Sequence, residues 1–357
     1  MKSLRILART AGALPPCAAR ARMRLPPPAV PLPQRPAARR APRHAPAAAG
    51  GAAGAAGPDS ASGGVLPTAC AVLAAGALAK AALGAAAPQL LLSFSLGAAA
   101  VTPLNTALTG AAAAVGWIYA AWLLALREAA LHGRLASDTY KRLSLGMLGL
   151  AAVIAELRVR CAHTGAFEAG PFGSDLMLII TIAAVSAVAL LASKLYSAGS
   201  GGRSPLEDAR AAAAGVVAGV AACLQRPANI YSAAYAFHAL TSLLGFCLLY
   251  PTSLAPLLPG GVDALGYYLS RAIGAGMLLQ GVTAFTLKDA ADRGRLGAST
   301  FKLLNLALMV TLLQQAWCMW SLSGAGVALQ PALWRFGLAK TALVAAVCGA
   351  ALAFESK

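Results

Sequence analysis

Residues Arg127 to Leu143 read REAALHGRLASDTYKRL, and residues Lys288 to Leu304 read KDAADRGRLGASTFKLL. The two stretches lie 161 residues apart, and eight of their seventeen positions are identical. Arg127/Lys288, Glu128/Asp289 and Tyr140/Phe301 also keep their chemistry. The shared pattern is a basic–acidic pair, two alanines, Gly-Arg-Leu, then Thr, an aromatic ring, Lys and Leu. It is a short polar hinge between apolar runs, written twice.

Gly133 and Gly294 suit a helix C-cap in the left-handed region. Thr139 and Thr300, or the Ser or Asp before them, suit the N-cap of the next helix. Each hinge therefore reads as helix–turn–helix with its charges at lipid headgroups. The functional alternative is an anion or headgroup site made by Arg134, Lys141, Arg295 and Lys302. Arg127 with Glu128, and Lys288 with Asp289, are equally candidates for gating pairs.

Outward from the hinges the chain is apolar. Of its 357 residues 59% are hydrophobic and 11% charged, and mean hydropathy is +0.68. A soluble domain carries about 25% charged residues, so water cannot cover this chain. The predicted fold is all-α and polytopic: about eight spanning helices as two tandem four-helix repeats, preceded by a disordered leader. Expected boundaries are the leader at 1–64, a first repeat at 65–196, a linker at 197–226 and a second repeat at 227–357.

The net charge of +17 is misleading as a whole. Ten of the 29 Lys and Arg fall in residues 1–58, which hold no acid. From residue 65 onward there are 19 basic and 11 acidic residues, a net of +8. That excess sits in short loops, where it orients a chain in a bilayer, and it argues against nucleic-acid partners. The expected partners are the lipid bilayer and other membrane proteins of a complex. An acid-poor, Arg-, Ala- and Pro-rich leader has the character of an organelle transit peptide. The expected location is a chloroplast membrane, envelope or thylakoid, with the mitochondrial inner membrane as alternative.

The predicted runs of the first half are Val65–Ala87, Thr109–Ala130, Leu143–Leu157 and Leu176–Tyr196. Those of the second are Ala228–Tyr250, Ala264–Thr286, Leu303–Leu322 and Leu333–Phe354. Proline-containing loops follow the first run of each half, with Pro88 and Pro103 in one and Pro251, Pro256 and Pro259 in the other. A polar loop leads from Cys161 to Asp175. The linker opens with SAGSGGRSP and continues as a helix from Pro205 with acids in its first turn. Its uncharged part, Ala211–Gln225, is short for a span, so an interfacial helix is expected. Gly215 and Gly219 offer a close-packing pair. A linker that lies flat gives the two halves the same orientation; one that crosses inverts the second, as in many transporters. Collecting both basic hinges on one side favours the first arrangement.

An ionisable residue inside a span is a functional hypothesis by default. Lys80, Glu156, His238 and Lys340 qualify, with Gln280, Gln314 and Gln315 as neutral companions. Glu156 has Arg158 and Arg160 close by, and Lys80 and Lys340 can snorkel. His238 lies mid-run among Tyr231, Tyr235 and Thr241. The seven cysteines form no CxxC, and no metal ligand set, cofactor fingerprint or catalytic cluster occurs. No metal or cofactor is expected, and an enzyme less so than a structural or assembly protein. The rival function is a carrier for a small anionic solute or lipid between the two repeats.

Each half is similar in layout to the DoxX-like group of four-span membrane proteins. The resemblance rests on a first helix, a Pro-containing loop, a second helix opening near Arg271 with Gly274 and Gly276, a short basic turn, and two closing helices. It covers about residues 65–195 and 226–354. The group is functionally mixed, so the resemblance implies a fold and no catalytic residue.

Overall fold

The hinge glycines set the geometry. Gly133 and Gly294 both adopt positive φ, 64° and 61°, where a side chain would be strained. In each hinge the amide three residues past the helix bonds back to the carbonyl that begins the last turn. Arg134 N–H donates to Ala129 O and Arg295 N–H to Ala290 O, both at 2.8 Å. Gly133 and Gly294 N–H donate to Ala130 and Ala291 O. This is the Schellman closure, which satisfies carbonyls the helix leaves open. Leu135 and Leu296 follow and are buried, so each turn is anchored by a leucine as well as by hydrogen bonds. The next helices start two residues earlier than the threonine caps expected. Ser137 O and Ala298 O accept the first amide bonds, and Thr139 and Thr300 lie within the first turn.

The computed structural model describes residues 64–96, 101–162, 173–253, 261–324 and 331–354. Leader residues 1–63, the middle of the polar loop from Cys161 to Asp175, and Pro256 and Pro259 lie outside the described residues. Among the described residues there are ten helices: α1 Val65–Ala86, α2 Pro88–Leu96, α3 Pro103–Leu131, α4 Asp138–Ala162, α5 Gly173–Ser200, α6 Pro205–Gln225, α7 Ile230–Thr252, α8 Ala264–Asp292, α9 Ser299–Gly324 and α10 Pro331–Phe354. All fall within one packing unit.

Six helices are long and apolar enough to cross a membrane: α1, α3, α5, α7, α9 and α10. The third and sixth predicted runs lie in α4 and α8, which fall short of that standard. In α4 the uncharged stretch between Arg142 and Glu156 is 13 residues, about 20 Å of helix. In α8, Arg271 and a series of Gly, Gln and Thr residues lower the hydropathy. Most of α8 is buried, so its surroundings are protein and it need not be apolar throughout.

α3 and α8, both 29 residues long, lie against each other at the centre. Trp122 is fully buried, and its Nε1–H donates to Thr283 Oγ1 across this contact at 2.9 Å. α1 packs along α3 and α7 along α8. Beyond the hinges the chain crosses over. α4 leaves α3 and packs on α8, whereas α9 leaves α8 and packs on α3. α5 then covers α4, and α10 covers α9. Residues 65–196 and 227–357 are thus interlocked, each lending its last two helices to the first two of the other.

Polar side chains fasten α9 to α3. Thr311 Oγ1 donates to Ala114 O and Gln314 Nε2 to Gly110 O, at 3.1 and 3.0 Å. Trp117 Nε1 donates to Gln314 Oε1 at 2.7 Å. Tyr235 OH donates to Asn305 Oδ1, and Asn305 Nδ2 to Cys348 O, joining α7, α9 and α10.

The two hinges share one end of the bundle. Tyr140 OH and Thr300 Oγ1 are 3.1 Å apart. α6 has both ends at this same end: Asp208 Oδ2 accepts from Tyr196 OH of α5 at 2.8 Å, and Cys223 Sγ lies 3.4 Å from Ser232 Oγ at the start of α7. α6 therefore runs across the hinge end. Of its two glycines only Gly219 makes a close approach, to the Phe285 ring and Lys288 Nζ; Gly215 faces open space.

Close contact between α1 and α3 depends on Gly84, where a Cβ would collide with Ala113. Gly84→Leu should destabilise the protein by about 1–3 kcal/mol through overpacking. Gly76→Leu, on the open face of α1, should be neutral. Denaturation midpoints of the two variants in detergent check the pair.

Candidate functional site

Polar side chains gather at both ends of the bundle, and a few lie between. At the hinge end stand the four expected cations. Arg134 and Arg295 are exposed, and Lys141 and Lys302 are half-buried. The residue that bridges the hinges is Arg142, which pairs with Asp289 at 2.9 Å and lies over the Phe285 ring at 4.7 Å. Beside it is a cavity of about 20 Å³, room for about one water, lined by Asp138, Arg142, Asp289, Arg293 and Arg295 among others. Arg295 is thus the one expected hinge cation that reaches it.

The two basic–acidic pairs differ. Arg127 and Glu128 meet at 2.7 Å on an exposed surface. Lys288 is buried and prefers Asp292, 2.8 Å away, to Asp289 at 3.8 Å. Ser232 Oγ also donates to Asp292, and Asn229 Nδ2 donates to Ala291 O. These bonds tie the start of α7 to the end of α8. Asp292 lies past the apolar run Ala264–Thr286. Burial alone would raise its pKa, but the Lys288 ammonium and the Ser232 hydroxyl outweigh that and hold it below the usual carboxylate range.

Between the ends, His238 is fully buried. Its Nε2 lies 3.4 Å from Ser242 Oγ one turn on, and its Nδ1 has no partner among the described residues. Lys340 is half-buried and Lys80 exposed. Gln280 Nε2 donates to Gln315 Oε1 at 3.1 Å. No group of three or more potential metal ligands occurs among the described residues.

The opposite end holds a second group of charged side chains. Glu156 of α4 accepts from Arg160 Nε at 2.5 Å, as its neighbourhood in the sequence suggests. It also accepts from Tyr250 OH at the end of α7. Its Oε2 lies 3.5 Å from Arg271 Nη2 of α8. Arg271 is 1% exposed. Its Nε donates to Tyr250 O at 2.5 Å, and its guanidinium stands over the Tyr250 ring at 4.8 Å and near Tyr267 at 5.6 Å. Arg158, also buried, donates to Thr181 Oγ1 of α5 at 3.0 Å and stands over Tyr268. Helices from both halves of the sequence thus build one polar centre around Glu156.

The centre explains its own local structure. α7 ends at Thr252 with Pro251 in its last turn and Ser253 at φ 61°. A helix leaves its last carbonyls open and its C-terminus partly negative. Arg271 caps one of those carbonyls. Gly274 permits this, because a Cβ there would meet the Leu249–Tyr250 backbone. The sequence reading named Arg271 only as part of a family resemblance. The signal was present: a charge eight residues into an apolar run falls under the same rule that singled out His238.

Two outcomes check the hinge contacts. A double-mutant cycle on Arg142→Ala and Asp289→Ala should give a coupling of about 1 kcal/mol, since both side chains keep some exposure. Asp292→Asn should lower the unfolding midpoint at neutral pH. A depressed carboxylate contributes stability above its unfolded pKa, about 4, and loses it as pH falls through the lower folded value. The difference between Asp292→Asn and wild type should therefore vanish in acid, as read by unfolding curves from pH 7 to pH 2.

Searches of protein-family models and of curated proteins returned no match to this chain.

Proposed function

We propose that the chain is an integral organelle-membrane protein with a structural or assembly role. On this reading eight helices cross the bilayer as two four-helix repeats in the same orientation, and α6 lies along the surface at the hinge end. α4 and α8 count among the crossings because each continues the hinge and is long enough, at 25 and 29 residues, for about 30 Å of hydrocarbon. Two details favour the repeat. α3 and α8 start and stop 161 residues apart, as the hinges do. Trp122 and Thr283, which bond to each other, are separated by the same 161, as expected of equivalent positions beside a two-fold axis. The length and the Ala/Pro/Arg bias of the leader favour a chloroplast membrane over the mitochondrial inner membrane.

The observation that carries the structural role is the contact between halves. The interface a carrier would open is interlocked by exchanged helix pairs and fastened by Gln314, Thr311 and Trp122. Meanwhile α9 presents Leu306, Leu313, Trp317 and Trp320 outward. Trp317 and Trp320 lie about 27–32 Å along α9 from its hinge end, the depth of an interfacial aromatic belt. The second reading, a carrier for a small anionic solute or lipid, is favoured by Glu156 and Arg271 meeting between α4 and α8.

Purification of the tagged chain from its native membrane in mild detergent tests the role. A stable complex with other membrane proteins supports it. A chain that runs alone, and that moves a small anion in reconstituted vesicles, overturns it. For the topology, single cysteines replacing Arg134 and Arg295 should label from one side and a cysteine replacing Gln89 from the other. Labelling of the two hinges from opposite sides would refute the shared orientation.

A further inference from the structure

The centre at the end opposite the hinges sets two guanidinium groups against one carboxylate. Glu156 serves Arg160 and Arg271 directly. Arg271 is the unusual member. It is buried, yet its Nη1 has no hydrogen-bond partner among the described residues. A buried guanidinium N–H left unpaired is costly, more so than a neutral donor. The nearest carboxylate oxygen stands at 3.5 Å from Nη2, beyond the usual charge-assisted distance of about 2.7–2.9 Å. Glu156 is held elsewhere, by Arg160 and Tyr250. Its side chain keeps 38% exposure, so it stands between Arg271 and the surface.

We propose that Arg271 is the anchor of an oxyanion-binding site, with Glu156 as the internal carboxylate that occupies its mouth. The ligand is a carboxylate or phosphate. It would take the fork of Nη1 and Nη2, for which a planar guanidinium is suited and an ammonium is not. Glu156 would turn aside to Arg160, to which it is already bonded. Arg271 keeps its Nε on the Tyr250 carbonyl throughout, so the guanidinium is oriented before ligand arrives. The inference does not rest on the structural role proposed above: a scaffold with a bound lipid and a carrier with a bound solute would both use this site.

The sign of one substitution separates the site from a plain ion pair. Purified full-length protein in neutral detergent is unfolded by heat with chloride, malonate or inorganic phosphate at equal ionic strength. A second series uses micelles doped with phosphatidate. The expected result is a rise in unfolding temperature with at least one of these anions, wild type or Glu156→Gln. Glu156→Gln should lower the half-saturating concentration at least tenfold, because it removes the competing charge. Arg271→Lys should raise it at least tenfold. A response to malonate or phosphate identifies a soluble anion, and a response to phosphatidate alone identifies a lipid headgroup. If neither wild type nor Glu156→Gln responds to any anion, or if a response seen in wild type persists unchanged in Arg271→Lys, the proposal is wrong. Should Arg271→Lys not fold, the direction of the Glu156→Gln shift decides alone: tighter binding supports the site, and unchanged or weaker binding overturns it.

Discussion

Trp122 meets Thr283 where α3 and α8 lie against each other, and the other helices are arranged around that contact. An indole buried to 0% exposure must place its one N–H on an acceptor. A hydroxyl from the opposing helix answers that need. The bond fixes the two central helices side by side and fixes which faces remain for others. α1 and α7 take one pair of faces and α9 and α4 the other pair.

The crossover of α4 and α9 follows from that centre. Each hinge turns the chain through a Schellman closure, and the buried Leu135 and Leu296 hold the turn against the core. A helix leaving α3 finds the flank of α3 taken by α9, and one leaving α8 finds the flank of α8 taken by α4. Because the hinges abut, through Tyr140–Thr300 and Arg142–Asp289, the exchange needs no long connection. Its consequence is that neither half can be loosened alone. In an apolar surrounding, where helices gain little from leaving lipid, packing and interhelical hydrogen bonds hold a bundle together, and the exchange multiplies both.

The same geometry gathers charge at the two ends for different reasons. At the hinge end, charges are mostly exposed or paired with neighbours across the turn. At the other end, Arg271 is drawn inside by the open C-terminus of α7. Once inside, it requires a carboxylate, and Glu156 comes from the first half of the chain to supply one. A helix cap thereby becomes a charged contact between halves.

The hinges were legible in the residues themselves. Gly-Arg-Leu demands a positive φ at the glycine and a buried leucine after it, and backbone sterics act over three residues. The apolar runs were legible too, since length and composition alone qualify six helices. α4 and α8 were only half legible, because a helix sheathed by protein may carry polar residues that a lipid-facing one may not. What the chain's order of residues could not reveal is which helix packs on which. Ala-, Leu- and Gly-rich runs offer similar apolar faces all round, so hydrophobic periodicity ranks no partner over another. The choice of α8 for α4 and of α3 for α9, and the meeting of Glu156 with Arg271 across 115 positions, were decided by close packing and by a few buried hydrogen bonds that exist only once the bundle has formed.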